Sequence, residues 1–146
     1  MLKNFLIGTE RIESSLANIG LLLLRVFIGL TMAFQHGSGK IPPSEGFVSV
    51  IEKLHFPAPF VFAWLAGIGE FVGGILLAIG LFSRPSALMV SITMGVAAFM
   101  QHAQDPFRQK EMALLYLFAG LMFLCVGSGK YGIDAIFSNN KKRYPY

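Results

Sequence analysis

The sequence predicts an all-α integral membrane protein, a four-helix bundle with both termini cytoplasmic, and three observations carry that prediction. Of the 146 residues, 54% are hydrophobic and only 14% are charged, a balance too apolar for the surface of a soluble domain. Four apolar runs of roughly membrane-spanning length use most of the chain, so residues 1–146 read as a single domain with no separate soluble catalytic unit. The cationic residues are also unevenly divided between alternate loops.

The opening stretch, MLKNFLIGTERIESSL, carries Glu10, Arg11 and Glu13 where a secretory leader needs an unbroken apolar core. No cleavage is expected there, and the stretch fits a short interfacial helix or a frayed tail equally well. The spans are expected over about residues 16–34, 60–82, 86–100 and 112–126. The last two are short for a hydrocarbon core of about 30 Å, so they borrow flanking residues or sit in a thinned bilayer. Pro57 and Pro59 mark the start of the second span, and SRPS makes a tight connection to the third.

With both termini inside, seven cations (Lys3, Arg11, Arg84, Lys130, Lys141, Lys142 and Arg143) are cytoplasmic. Four (Lys40, Lys53, Arg108 and Lys110) are external, and Arg25 lies within a span. The bias follows the positive-inside rule. It also accounts for the net charge of +4 through contact with a membrane surface, so nucleic acid is not expected as a partner. HGSGK at residues 36–40 lacks the preceding strand and the full spacing of a phosphate loop. In the second span Gly69 and Gly73 are four apart, as are Gly74 and Ala78, a spacing that lets helix backbones approach closely.

Glu70 stands alone in the apolar stretch AWLAGIGEFVGGILLAIGLF. Counted from the outer boundary it lies about 15 Å deep, and Arg25 lies about 13–14 Å from the inner boundary, so the two are expected to meet near the midplane. The pair reads equally as a neutralised lock on helix register or as a polar centre for a ligand head group or a proton. His36, Lys40, His102 and Glu111 gather near the outer face, and together with Arg25 and Glu70 they form the candidate ligand-binding or proton-relay set. Each taken singly fits a polar helix end in the interfacial region. No His-Glu-x-x-His or similar motif is present, so no metal is expected. Phe47, Phe56, Phe60, Phe62 and Trp64 cluster at the outer mouth of the second span, where they anchor a helix or wall a vestibule for a flat lipophilic ligand such as a quinone. The single cysteine, Cys125, excludes an internal disulfide and a Cys-x-x-Cys pair, so redox chemistry would need a cofactor or a partner.

These residues resemble the DoxX family of small bacterial membrane proteins. The resemblance rests on LLLLRVFIGLTMAFQHGSGK with Arg25, His36, Gly37 and Lys40, and on GIGEFVGGILLAIGLFSRPSAL with Glu70, Gly73, Gly74, Gly80 and Arg84. It continues through QHAQ with His102 and EMALLYLFAGLMFLCVGSGKYGIDAIF with Glu111, Tyr116, Gly127, Gly129, Tyr131 and Asp134, so that it covers residues 17–137. It implies a four-helix, multi-pass protein of the bacterial inner membrane, linked to quinone-coupled sulfur oxidation or to thiol and oxidative-stress defence. The expected function is a membrane subunit of a redox or oxidative-stress system with a quinone as ligand, at most an accessory oxidoreductase subunit. Its expected partners are the lipid bilayer, a soluble or membrane redox protein, and a second copy of itself. A proton-coupled transporter or exporter using Glu70, and a structural membrane partner protein, are the competing readings.

Overall fold

The computed structural model describes residues 6–10 and 12–138. Lys3, Arg11 and the basic group Lys141 to Arg143 lie outside them. The described residues are helical, with no strand among them. In chain order the elements are α1 (Ser15–Thr31), α2 (Glu45–Lys53), α3 (Pro59–Ile79), α4 (Ser83–Val96), α5 (Phe107–Val126) and α6 (Ile133–Phe137). Two of the long helices run on beyond their α-helical part. A π-helical stretch (Met32–Gly37) and a final 3₁₀ turn (Ser38–Lys40) extend α1, and a π-helical stretch (Ala97–Gln101) extends α4.

Local chemistry accounts for the boundaries. Ser14 Oγ accepts from the Ala17 amide at 3.2 Å and Ser44 Oγ from the Phe47 amide at 3.2 Å, satisfying amides that have no partner inside α1 and α2. Pro59 opens α3, where its missing N–H costs nothing. Gly80, with φ of +72°, closes α3: its amide bonds Leu77 O and the next amide, of Leu81, bonds Leu76 O, the left-handed stop that glycine favours. The start of α4 has no cap of its own. Asp134 supplies one from α6, its two carboxylate oxygens accepting from the Phe82 and Ser83 amides at 2.8 Å each.

Three helices among the described residues are long and apolar enough to cross a membrane: Ser15–Lys40, Pro59–Ile79 and Phe107–Val126. Helix α4, at the expected third span, is not among the three and begins earlier, at Ser83, where Asp134 caps it; the helix at the expected fourth span begins at Phe107 rather than near Met112. The first runs on to Lys40 instead of ending at Phe34. Exposed apolar side chains, among them Leu23, Phe27, Phe34, Leu65, Ile92, Leu115 and Phe118, coat the outside. Arg25, Glu70, Asn18 and Asp134 are buried, the inversion expected of a chain whose solvent is lipid.

Contact between α1 and α3 is made backbone to backbone. A Cβ placed on Gly29 would lie 2.5 Å from Gly74 O, and one on Gly74 would lie 2.7 Å from Gly29 O and 2.8 Å from Ala33 N. Gly29 and Ala33 thus oppose Gly74 and Ala78, as the four-residue spacing of Gly74 and Ala78 predicted. Gly69 and Gly73 turn instead to α4, where Met89, Val90 and Thr93 approach them. Farther out, Gly37 lies against the backbone of Glu70 and Phe71, and Lys40 O lies against Gly67.

Adding bulk at Gly74 forces α1 away from α3, because the obstructing atoms are main chain. Gly74→Leu is expected to lower stability by about 1–3 kcal/mol, read as a fall in the unfolding temperature of detergent-solubilised protein. Gly95→Ala, where a Cβ meets nothing within 4 Å, should shift it by less than about 1 kcal/mol and toward greater stability.

Candidate functional site

The antiparallel contact of α1 with α3 decides where the charges go. Gly29 lies opposite Gly74 and Ala78, Gly37 opposite Glu70, and Lys40 opposite Gly67. Arg25, four residues before Gly29, therefore reaches the level of Gly80, ten residues and about 15 Å along α3 from Glu70. The expected Arg25–Glu70 pair is not formed. Depths counted from the apolar boundaries assume helices aligned at their ends, whereas the glycine contacts slide α1 along α3 by about 15 Å relative to that alignment.

Arg25 belongs to a polar plug at the end of the bundle where α3 stops and α4 begins. It is 1% exposed; Nη1 donates to Ser128 O at 2.6 Å and Nη2 to Tyr131 O at 3.3 Å. Gly80 and Gly132 lie directly against its guanidinium, leaving no room for a side chain at either. Around it, Asn18 Nδ2 donates to Ile12 O and Ser14 O at 2.8 and 2.9 Å, while Asn18 Oδ1 accepts from the Lys130 amide at 2.8 Å. Arg84 Nη2 joins Glu10 Oε1 at 2.8 Å to Cys125 O at 2.9 Å. Main-chain carbonyls thus accept from both terminal nitrogens of Arg25, while its Nε and that of Arg84 are buried without a hydrogen-bond partner among the described residues.

Glu70 finds a different cation. Lys40, the last residue of the extended α1, places Nζ 2.6 Å from both Oε1 and Oε2. The Glu70 side chain is 3% exposed and that of Lys40 28%. Phe47 of α2 holds its ring 5.1 Å from the same nitrogen, a cation–π contact.

Since α1 stops at the level of Gly67, the outer part of α3 is left uncovered, and α2 occupies the space. Its Phe47 and Ile51, with Leu54 just beyond its end, Phe56 and Phe62, roof a cavity of about 310 Å³. The walls are Leu65, Ala66 and Gly69 of α3 and Met89, Ile92, Thr93 and Val96 of α4, with Ala97 and Gln101 on its extension. Lys40 and Glu70 supply the charged groups of the lining. Phe56 and Phe62 stack obliquely with centroids 4.9 Å apart. Thr93 Oγ1 donates back to its own helix, at 3.2 Å from Met89 O and 3.0 Å from Val90 O, so toward the cavity it can only accept. An ammonium and a carboxylate at one end of an aromatic-walled space can bind the polar head of an apolar molecule.

The other members of the expected set lie elsewhere. His36 is half-buried, edge-on to Tyr116 at 5.3 Å, and Tyr116 Oη donates to Thr31 Oγ1 at 2.9 Å. His102 Nδ1 pairs with Asp105 Oδ2 at 2.7 Å in the turn after α4. Glu111 is exposed on α5. None of the three lines the cavity, and Arg25 lies at the level of Gly80, so the six candidate residues do not form one continuous set. Helix α2 was missed by the sequence reading, although Ser44 before Glu45 is a cap signal and Phe47, Ile51 and Leu54 have helical spacing. The trans-cap by Asp134 had no local signal. Among the described residues no group of three or more His, Cys, Asp and Glu could hold a metal ion.

The DoxX sequence profile matches residues 20–103. An uncharacterized protein of Haemophilus influenzae is 28% identical over 137 residues, which are 88% of this chain and 88% of that protein. A second uncharacterized protein of the same organism is 38% identical over 80 residues, 50% of this chain and 60% of that one. A Bacillus subtilis protein named "Putative oxidoreductase CatD" is 28% identical over 125 residues, 85% of this chain and 91% of that protein. No solved structure gives a significant match.

Coupling between Lys40 and Glu70 is measurable. Lys40→Met leaves the buried carboxylate without its cation and should destabilise more than Lys40→Met combined with Glu70→Gln, which removes the charge as well. A double-mutant cycle on unfolding in detergent should give a coupling of about 1–3 kcal/mol; strictly additive effects would contradict the pairing.

Proposed function

The chain belongs to the DoxX family, and from that premise we propose a multi-pass protein of the bacterial inner membrane that serves as the membrane subunit of a redox or oxidative-stress system and holds a quinone in the Lys40–Glu70 cavity. In this reading α1, α3, α4 and α5 are four spans of one bundle, and α4 crosses with the help of its π-helical extension. Both termini are cytoplasmic, so Arg84 and Lys130 face inward and Lys40, Lys53 and Lys110 outward. The observation that carries the ligand assignment is the position of the Lys40–Glu70 pair, at one end of a cavity whose other walls are aromatic and aliphatic.

A quinone carbonyl needs a donor, and the Lys40 ammonium supplies it; the flat ring needs apolar walls, which Phe47, Phe62, Ile92 and Val96 supply. When bound, the quinone would contribute two-electron redox chemistry that no side chain here supplies. A relative named as an oxidoreductase agrees in class. Electrons would be exchanged with a soluble or membrane redox partner, since Cys125 is the single cysteine. Proton-coupled transport through Glu70 receives less support, because the Arg25 plug fills the space between the helices on the inner side.

Thermal unfolding with and without a short-chain quinone tests the ligand assignment. Native protein should be stabilised, Lys40→Ala much less so, and His36→Ala as well as native because His36 is outside the cavity. Absence of stabilisation in native protein, or equal stabilisation of native and Lys40→Ala, would remove the site.

Topology is tested on a chain with Cys125 replaced by Ala. An impermeant thiol reagent applied from the periplasmic side should label a cysteine at Glu45 or Gln109 and spare one at Ser138. The reverse pattern would invert the orientation.

A further inference from the structure

The lining of the cavity is exposed at three residues only: Gln101 at the outer end of α4, Leu65 on α3 and Ile92 on α4. Leu65 is 56% exposed and Ile92 58%. Leu65 stands six residues into α3, about 9 Å from its start, and Ile92 stands about 13 Å from the start of α4. Apolar side chains at these depths on a membrane-spanning chain face hydrocarbon. A residue that both walls a cavity and faces lipid marks the place where the cavity meets the bilayer. Met89 and Thr93 pack against Gly69 in the same groove, at the level of Ile92, and Leu65 lies one helical turn before Gly69.

We infer that the gap between Leu65 and Ile92 is a lateral portal, through which the tail of the ligand runs into the bilayer while its head rests on Lys40 and Glu70. The inference rests on the quinone reading and narrows the ligand class to a ring quinone bearing a prenyl or alkyl tail. Size supports the tail. A volume of about 310 Å³ is at the lower end of the range of about 300–1,000 Å³ for small-molecule sites. It accommodates a substituted ring but not several isoprene units, and the tail of such a molecule must leave by an apolar route. Gln101 makes the other exposed edge polar.

The test compares one ring in two forms: a dimethoxy-methyl-benzoquinone without a tail, and the same ring carrying a decyl tail. Both are titrated into native protein, Leu65→Trp and Ile92→Trp in lipid nanodiscs. The Trp variants should weaken binding of the tailed form about tenfold more than that of the tail-less form. Equal weakening of both, or no change in either, overturns the portal while leaving the quinone site standing. Failure of native protein to bind either form overturns the quinone reading and the portal with it. A second measurement needs no variant: a tailed quinone with a photoreactive group at the tail end should label native protein around Leu65 and Ile92. Labelling confined to the neighbourhood of Gln101 and α2 would overturn the portal.

Discussion

Main-chain contact between α1 and α3 is the constraint from which the other features descend. With hydrocarbon as solvent, apolar side chains gain little by associating, so two helices stay together through close approach and specific polar contacts. Here the close approach occurs at Gly29 and Ala33 against Gly74 and Ala78, and again at Gly37 against Glu70 and Phe71. Those contacts fix the sliding position of α1 as well as its distance. The position delivers Lys40 to Glu70 and Arg25 to the level of Gly80, and it leaves the first third of α3 bare. Helix α2 covers the bare part, and the cavity is the space left beneath it. A shift of α1 by one helical turn would move its residues about 5.4 Å, which would part Lys40 from Glu70 and Arg25 from Ser128 together.

The two deeply placed charges are handled in different ways. Arg25 donates to two main-chain carbonyls and has Asp134 nearby as counter-charge, while Asp134 is itself committed to two amides at the start of α4. This arrangement ties α1, α4 and α6 together. Glu70 is held by one flexible side chain whose nitrogen remains partly open. The first is built for rigidity, and the second leaves a polar group that a bound molecule can reach.

Much of the fold was legible because a membrane chain writes its spans as long apolar runs. The approximate position of each long helix, the small-residue contact at Gly74 and Ala78, and the need of Glu70 for a partner inside the protein were all readable. The identity of that partner was not. Hydropathy marks where a helix enters hydrocarbon, but register is set by which glycines meet, and Gly29 and Gly37 carry no mark that separates them from Gly20 or Gly39, which touch nothing. The same error drew Arg25 to the midplane and kept Lys40 at the surface. Of the six candidate site residues, Lys40 and Glu70 line one cavity, while Arg25, His36, His102 and Glu111 are dispersed, since sequence distance along one helix says nothing about which neighbour that face meets. Phe47 and Phe62 were noticed as aromatics, but their role as a roof depended on α2, whose nine residues are too few to register as a span.

The cap that Asp134 places on α4 also imposes an order on biosynthesis. Ser83 leaves the ribosome 51 residues before the carboxylate that will receive its amide. Through that interval the N–H groups of the first turn of α4 lack the carboxylate that accepts from them in the folded protein, so the start of α4 stays uncapped while the chain is still short. Only when the segment after α5 has emerged and folded back does the turn close, and the same event brings the carbonyls of Ser128 and Tyr131 to Arg25. The final stretch of the chain is therefore a clasp: a nascent protein truncated before it would carry every long helix and still lack the piece that locks them.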